Sequence, residues 1–216
     1  MNEPAPRRAY DSSRRQAAAL QRRLEALAAA RRLFGEKGYA ATTMADIAAA
    51  AGVNVDTLYA GLGTKAELFA LLLETELAET LESIPAERRN YVAAMEMEPE
   101  PHRKLEIFAT AVSEIWERMA PLLHVLQTGA AADETLAEIW DDFLRQRLEN
   151  LRLLIDALQP TGAMRGDLDP AEAAETAWAL SSTEVYALLT RTRGWTTARY
   201  RDWLADAFER LLLSRP

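Results

Sequence analysis

The chain has no cysteine among its 216 residues. This excludes a disulfide framework, a thiol nucleophile and thiolate-bound zinc, and it points to a reducing cytoplasm. Histidine is nearly absent too. His102 and His124 are the only two, too far apart for helical pairing, so they cannot build a multi-histidine metal centre or support a serine–histidine–acid set. There is no glycine-rich phosphate loop. No apolar run approaches the roughly 18 residues of a membrane span. Charged side chains throughout the first thirty residues argue against a secretory signal. Neither an enzyme nor a cofactor, metal or membrane partner is expected from these absences.

Apolar residues make up 49% of the chain and charged ones 27%, enough for a genuine core in one medium or two small domains. Charge is unevenly distributed. Residues 1–66 carry ten Lys/Arg and six Asp/Glu, whereas the remainder carries fifteen and twenty-seven. A basic front on an acidic body suggests a local contact with a polyanion, although surface charge also drifts without function.

The periodicity is helical throughout and no strand-like alternation is present, so the expected class is all-α. Residues 1–13, with Pro4 and Pro6, read as a flexible basic arm. A helix follows from Arg14 to Gly38. Three short helices come next: Thr43 caps Met44–Ala51, Asn54 caps Val55–Ala60, and Thr64 with Glu67 forms a capping box. A proline-interrupted junction spans 84–101. In the body, one apolar stripe from Leu105 to Met119 is expected to end before Pro121, with a short continuation over Pro121–Gln127 closed at Gly129, and a long helix covers Leu136–Leu158. Another runs from the Asp169–Pro170 start to about Arg193, and a last one carries Tyr200 to Leu212. The expected domains are the arm at 1–13, a three-helix unit at 14–66 and a larger helical domain at 67–216.

Ile47–Tyr59 is the most specific signal. Two short helices separated by a turn at Gly52, with Ala48, Val53 and Leu58 facing inward, fit a helix-turn-helix. Asn54, Val55, Thr57 and Tyr59 are then free to face a major groove. A plain helical hairpin with alanine-rich packing is the alternative from spacing alone.

Residues 24–74 resemble the DNA-binding domain of the TetR family of bacterial transcriptional regulators. The resemblance is carried by Ala30-x-x-Leu33-Phe34, Gly38-Tyr39, Thr42-Thr43, Ile47-Ala48, Gly52-Val53, Thr57-Leu58-Tyr59, Lys65 and Leu68. It implies double-stranded DNA as a partner, with Thr43, Tyr59 and Lys65 on phosphates and Val55 and Thr57 on bases. It also implies a homodimer formed by the last two long helices, and an effector-responsive regulator that is most often a repressor. The chain departs from the family pattern at Ala60, Gly61 and Leu62, where aromatic or basic residues are common, and Asp56 brings an acid towards the DNA. Arg7, Arg8, Arg14 and Arg15 are the expected compensation, reaching phosphates or a minor groove; a merely solvated tail is the other reading.

In the body, Phe108, Trp116, Met119, His124, Trp140, Phe143, Trp178 and Tyr186 fall on helices that the resemblance sets around a central cavity. Each is either core or effector contact; together they favour an apolar pocket. Glu184 is the one acid expected to line it, unless its helix face meets a partner subunit. The combined expectation is a cytoplasmic homodimer, a repressor released from a palindromic operator by a small, largely apolar effector. A ligand-independent DNA-organising or protein-docking module on the same fold is the rival.

Overall fold

The computed structural model describes the backbone of residues 7–78 and 89–214, and side chains from residue 15 within those ranges. Among the described residues the fold is all-helical, with one isolated bridge between Met164 and Leu213. No described helix is long and apolar enough to cross a membrane. The chain divides into two compact units, Met1–Leu73 and Glu74–Pro216, so the division falls later than the sequence boundary at 66.

In the first unit, α1 (Arg7–Lys37) is followed by α2 (Met44–Ala51), α3 (Val55–Leu62) and the start of α4 (Lys65–Ala78). The arm expected over 1–13 is helical from Arg7; residues 1–6 lie outside the described residues. After Pro6 no proline occurs before Pro85, and good helix formers such as Arg7, Arg8 and Ala9 open α1. Phe34 on α1, Tyr39 after it and Phe69 on α4 form the centre of the core, with Phe34 and Phe69 edge to face at 4.9 Å. Such pairing adds orientation to the area buried. The aromatic trio is why α4 belongs to this unit as far as Leu73.

In the second unit, α5 (Asn90–Met97), α7 (Glu134–Leu158) and α10 (Thr197–Leu212) pack against α6 (Pro101–Ala130), while α8 (Pro170–Leu180) and the short α9 (Thr183–Ala187) complete it. Phe108, Met119, Leu122 and Leu126 bury one face of α6. Contrary to expectation, α6 does not stop before Pro121. Pro121 and Glu117 are both exposed, so solvent can satisfy the Glu117 carbonyl that the proline leaves without a donor. Gly129 lets Leu136 approach closely: a Cβ there would collide with the leucine Cδ1.

A second correction concerns the helix expected from Asp169 to Arg193. It breaks at Ser181–Ser182 into α8 and α9 and then loosens into a π-turn at Leu188–Thr192. Ser182 caps α9, its hydroxyl accepting from the Val185 amide at 3.2 Å. That amide would otherwise have bonded the Ser181 carbonyl, so the serines compete with the helix ladder and win.

Candidate functional site

The helix-turn-helix rests on two end caps. Thr43 opens α2 with a reciprocal box: its hydroxyl accepts from the Asp46 amide at 3.1 Å, and the Asp46 carboxylate accepts from the Thr43 amide at 3.0 Å. Gly52 closes α2 with φ 66°, a conformation that glycine adopts without steric cost. The Val53 amide returns to the Ala48 carbonyl at 3.0 Å, which turns the chain into α3. Asn54 caps α3, accepting from the Asp56 amide at 2.8 Å.

On α3, Leu58 and Leu62 are buried and Val55 is half-buried. Leu62 is therefore a core residue. Asn54, Asp56, Thr57, Ala60 and Gly61 are exposed, and Tyr59 is 50% exposed. The exposed face thus holds Asn54, Asp56, Thr57 and Tyr59, with Val55 at its edge, as helix-in-groove docking requires.

Lys65 sits differently from its expected role. Its ammonium donates to the carbonyls of Tyr39 at 3.0 Å and Thr42 at 3.1 Å, and lies 4.1 Å from the centre of the Tyr39 ring. Two of its three donors tie α4 to the α1–α2 connection, so the geometry supports a structural clamp more than a phosphate contact. Acids also crowd these helix starts. The Glu67 carboxylate accepts from the Thr64 amide at 2.7 Å, and this bond together with the Thr64 hydroxyl holds it below the usual carboxylate range. The Thr43 hydroxyl and amide do the same for Asp46.

Sequence reading passed over Arg22 and Arg23. Both line a groove beside Thr57 and Gly61, and the Arg23 Nε is buried without a hydrogen-bond partner. Of the four expected arm residues, Arg7, Arg8 and Arg14 fall in the helical backbone of α1 and their side chains lie outside the described residues; Arg15 is exposed. The α1 register, which sets arginines beside α3, could not be read without the tertiary packing.

The body holds a cavity of about 40 Å³. Of the nine expected effector contacts, Phe108, Trp116 and Phe143 line it. Met119 is fully buried core, and Tyr186 is buried edge to face on Tyr200 at 4.9 Å. Trp140 stacks on Phe143 at 5.6 Å, and Trp178 donates to the Leu144 carbonyl at 3.3 Å; neither reaches the cavity wall. Two further expected contacts, His124 and Glu184, are exposed and do not line the cavity. His124 lies on the solvent face of α6, between the buried pairs Leu122–Leu123 and Val125–Leu126. Glu184 is exposed at the start of α9, where its carboxylate accepts from Gln127 at 2.8 Å.

Two arginines do line the cavity, Arg89 and Arg147, and Arg147 is only 5% exposed. Its Nη2 donates to the Trp178 carbonyl at 2.9 Å, and the guanidinium lies over the Trp116 and Trp178 rings at 5.4 and 5.2 Å. Burial lowers its pKa to about 10, against the opposing pull of Glu184. A buried arginine on an otherwise apolar stripe was the available signal.

A helix-turn-helix with an exposed second helix, set before a separate helical body, defines a DNA-binding transcription regulator. Residues 26–72 match the family model described as bacterial regulatory proteins, tetR family, and the amino-terminal domain belongs to that family. Solved regulators share the fold. NalD of Pseudomonas aeruginosa, the secondary repressor of the MexAB-OprM multidrug efflux pump, is 23% identical with a TM-score of 0.71, covering 93% of this chain and 100% of that one. A transcriptional regulator from Saccharomonospora viridis, in complex with choline, is 20% identical with a TM-score of 0.66, over 89% and 98%. SmeT in its triclosan complex is 19% identical with a TM-score of 0.64, over 89% and 92%. A search of curated proteins gives no match.

Proposed function

We propose that the chain is a homodimeric transcriptional repressor that leaves a palindromic operator when a small effector enters its body. The observation that carries this reading is the exposed Asn54–Tyr59 face of α3, held by caps at both ends of α2 and by Leu58 in the core. Among the described residues, nothing in the packing of the first unit uses Thr57 or the outer half of Tyr59, which leaves both open to a partner outside the unit. The cavity in the second unit supplies the second half of the reading. Regulators of similar fold in complex with choline and triclosan support a small organic effector here.

Effector and operator are linked by a coupling free energy, so an effector that lowers operator affinity must itself bind less well to the DNA-bound protein. A two-fold dimer would match two half-sites one or more helical turns apart. For a dimer formed by the last two long helices, Phe208 and Leu212 are fully buried within one chain, whereas Leu188 and Leu211 are exposed and are the candidates for the shared surface.

The test is selection of bound duplexes from a random pool, followed by sedimentation of the protein alone and with the selected site. A palindromic consensus bound by two chains is expected. Recovery of no consensus would favour the rival, a ligand-independent DNA-organising or protein-docking module, which the small volume of the cavity also favours.

A further inference from the structure

Among the described residues, the walls of the body cavity carry cations and no acid. Arg89 and Arg147 line it with Asn150, Tyr91, Phe108 and Trp116, and no described Asp or Glu does. Three polar atoms there are buried without a partner: Nη1 of Arg147, Nε of Arg89 and Oδ1 of Asn150. Native proteins rarely leave such atoms unpaired, and each one calls for an explanation.

Arg147 is the decisive member. A guanidinium this deeply buried is costly unless an anion or acceptors pair with it. Its two indole neighbours and the Trp178 carbonyl offset part of that cost. The acid whose charge acts on it, Glu184, is exposed and engaged by Gln127 and Thr183. One end of the guanidinium is therefore left unsatisfied beside aromatic walls.

We infer that this cavity binds a small organic anion, a flat apolar body bearing one carboxylate that pairs with Nη1 of Arg147. The inference rests on reading the cavity as the effector site. The rings of Phe108 and Trp116 supply apolar faces for the body, and Asn150 offers an acceptor to a hydroxyl or amide substituent. A cavity of about 40 Å³ holds a few waters. A single ring enters by displacing the half-buried Tyr91 and Phe143 and the exposed Gln146 at its edge.

The test is calorimetric titration of the full chain with benzoate, benzamide and benzylammonium, three single-ring probes differing in charge. Benzoate is expected to bind the wild type with a Kd of roughly 1 mM or tighter, about tenfold or more ahead of the neutral amide, with no detectable binding of the cation. Arg147→Met, shown to be folded by circular dichroism, is expected to lose that preference. If the variant does not fold, the wild-type ratio of benzoate to benzamide decides. Benzamide or benzylammonium binding as tightly as benzoate, a preference kept by Arg147→Met, or no benzoate binding would overturn the assignment. Operator binding is measured separately: benzoate bound without change in operator affinity leaves the anion site standing and removes the effector-release reading.

Discussion

The indole nitrogen of Trp116 donates to the backbone carbonyl of Ser181 at 2.9 Å, across sixty-five residues of sequence. The bond exists because the helix breaks. Ser182 takes the Val185 amide, which frees the Ser181 carbonyl for Trp116. The Ser182 amide turns to Ala179 at 3.3 Å, which frees the Trp178 carbonyl for Arg147. One local interruption thus fixes both an aromatic wall and a cation of the cavity. Trp116→Phe keeps the ring but leaves a buried carbonyl without a donor, so it should destabilise the chain by about 1–3 kcal/mol. Urea unfolding would measure this, and an unchanged midpoint would remove the bond from the account of the cavity.

Arg147 should behave in the opposite way. A desolvated cation with an unpaired nitrogen is a poor source of stability, and apolar replacements of buried charges are often neutral or stabilising. Met is close in length and keeps the contact with both indoles. Arg147→Met should therefore leave the melting temperature of the effector-free protein unchanged or raise it. A fall of several degrees would mean that the bond to the Trp178 carbonyl outweighs the desolvation of the guanidinium.

The caps of the first unit give a pH dependence with a defined sign. The Asp46 and Glu67 carboxyls sit below their ordinary range because Thr43 and Thr64 bond their charged forms. A carboxyl with a depressed folded pKa contributes stability above its unfolded pKa and loses it as pH falls through the folded value. Asp46→Asn should consequently cost stability at neutral pH, and the difference from wild type should shrink as pH drops below the ordinary carboxylate range. Thermal melts over that acid window check it; a difference that grows on acidification would contradict the capping role.

Lys65 is expected to matter for folding as well as for DNA. Removing its ammonium takes a donor from the Thr42 carbonyl and leaves the Tyr39 carbonyl with the Thr42 amide alone, a loss of roughly 1–3 kcal/mol. Lys65→Ala should lower the melting temperature in the absence of DNA. A variant as stable as wild type would return Lys65 to the phosphate-contact role that its position in the motif suggests.

Local signals made much of this architecture readable. The caps at Thr43, Asn54, Thr64 and Asp169 and the turn at Gly52 are set by residues within a few positions of one another, and all occur where the sequence puts them. The misreadings share a different cause. Pro121 continues its helix because Glu117 and Pro121 face solvent, which depends on how α6 lies in the body. Arg147 was hidden on a helix whose apolar stripe drew attention to Trp140 and Phe143, and its burial depends on a carbonyl freed on α8. Glu184 stood inside an apparently continuous apolar helix, and the break at Ser182 turned it outward. Short-range chemistry is legible in one sequence; which carbonyl is free and which face is wet are properties of the packed chain.

Operator recognition should divide between affinity and sequence choice. The hydroxyl of the half-exposed Tyr59 and the arginines Arg22 and Arg23 beside Thr57 are placed to meet phosphates, and phosphate contacts carry no base information. Tyr59→Phe and Arg23→Ala should weaken binding to every sequence alike, and Arg23→Ala should reduce the salt slope by about one. Val55 and the Thr57 methyl can meet thymine methyl groups, so replacing them should shift preference at individual base pairs by roughly 1–3 kcal/mol. Asp56 separates two geometries. Its amide caps on Asn54 while its carboxylate is exposed. Beside the backbone, that charge repels phosphate, and Asp56→Asn should tighten binding to all sequences. Accepting from a cytosine amino group, it reads a base, and the same change should relax specificity at one position. Binding of each variant to matched and mutated operators at two salt concentrations distinguishes these outcomes. If Tyr59→Phe and Arg23→Ala both leave affinity and salt slope untouched, then α3 does not dock on DNA with this face.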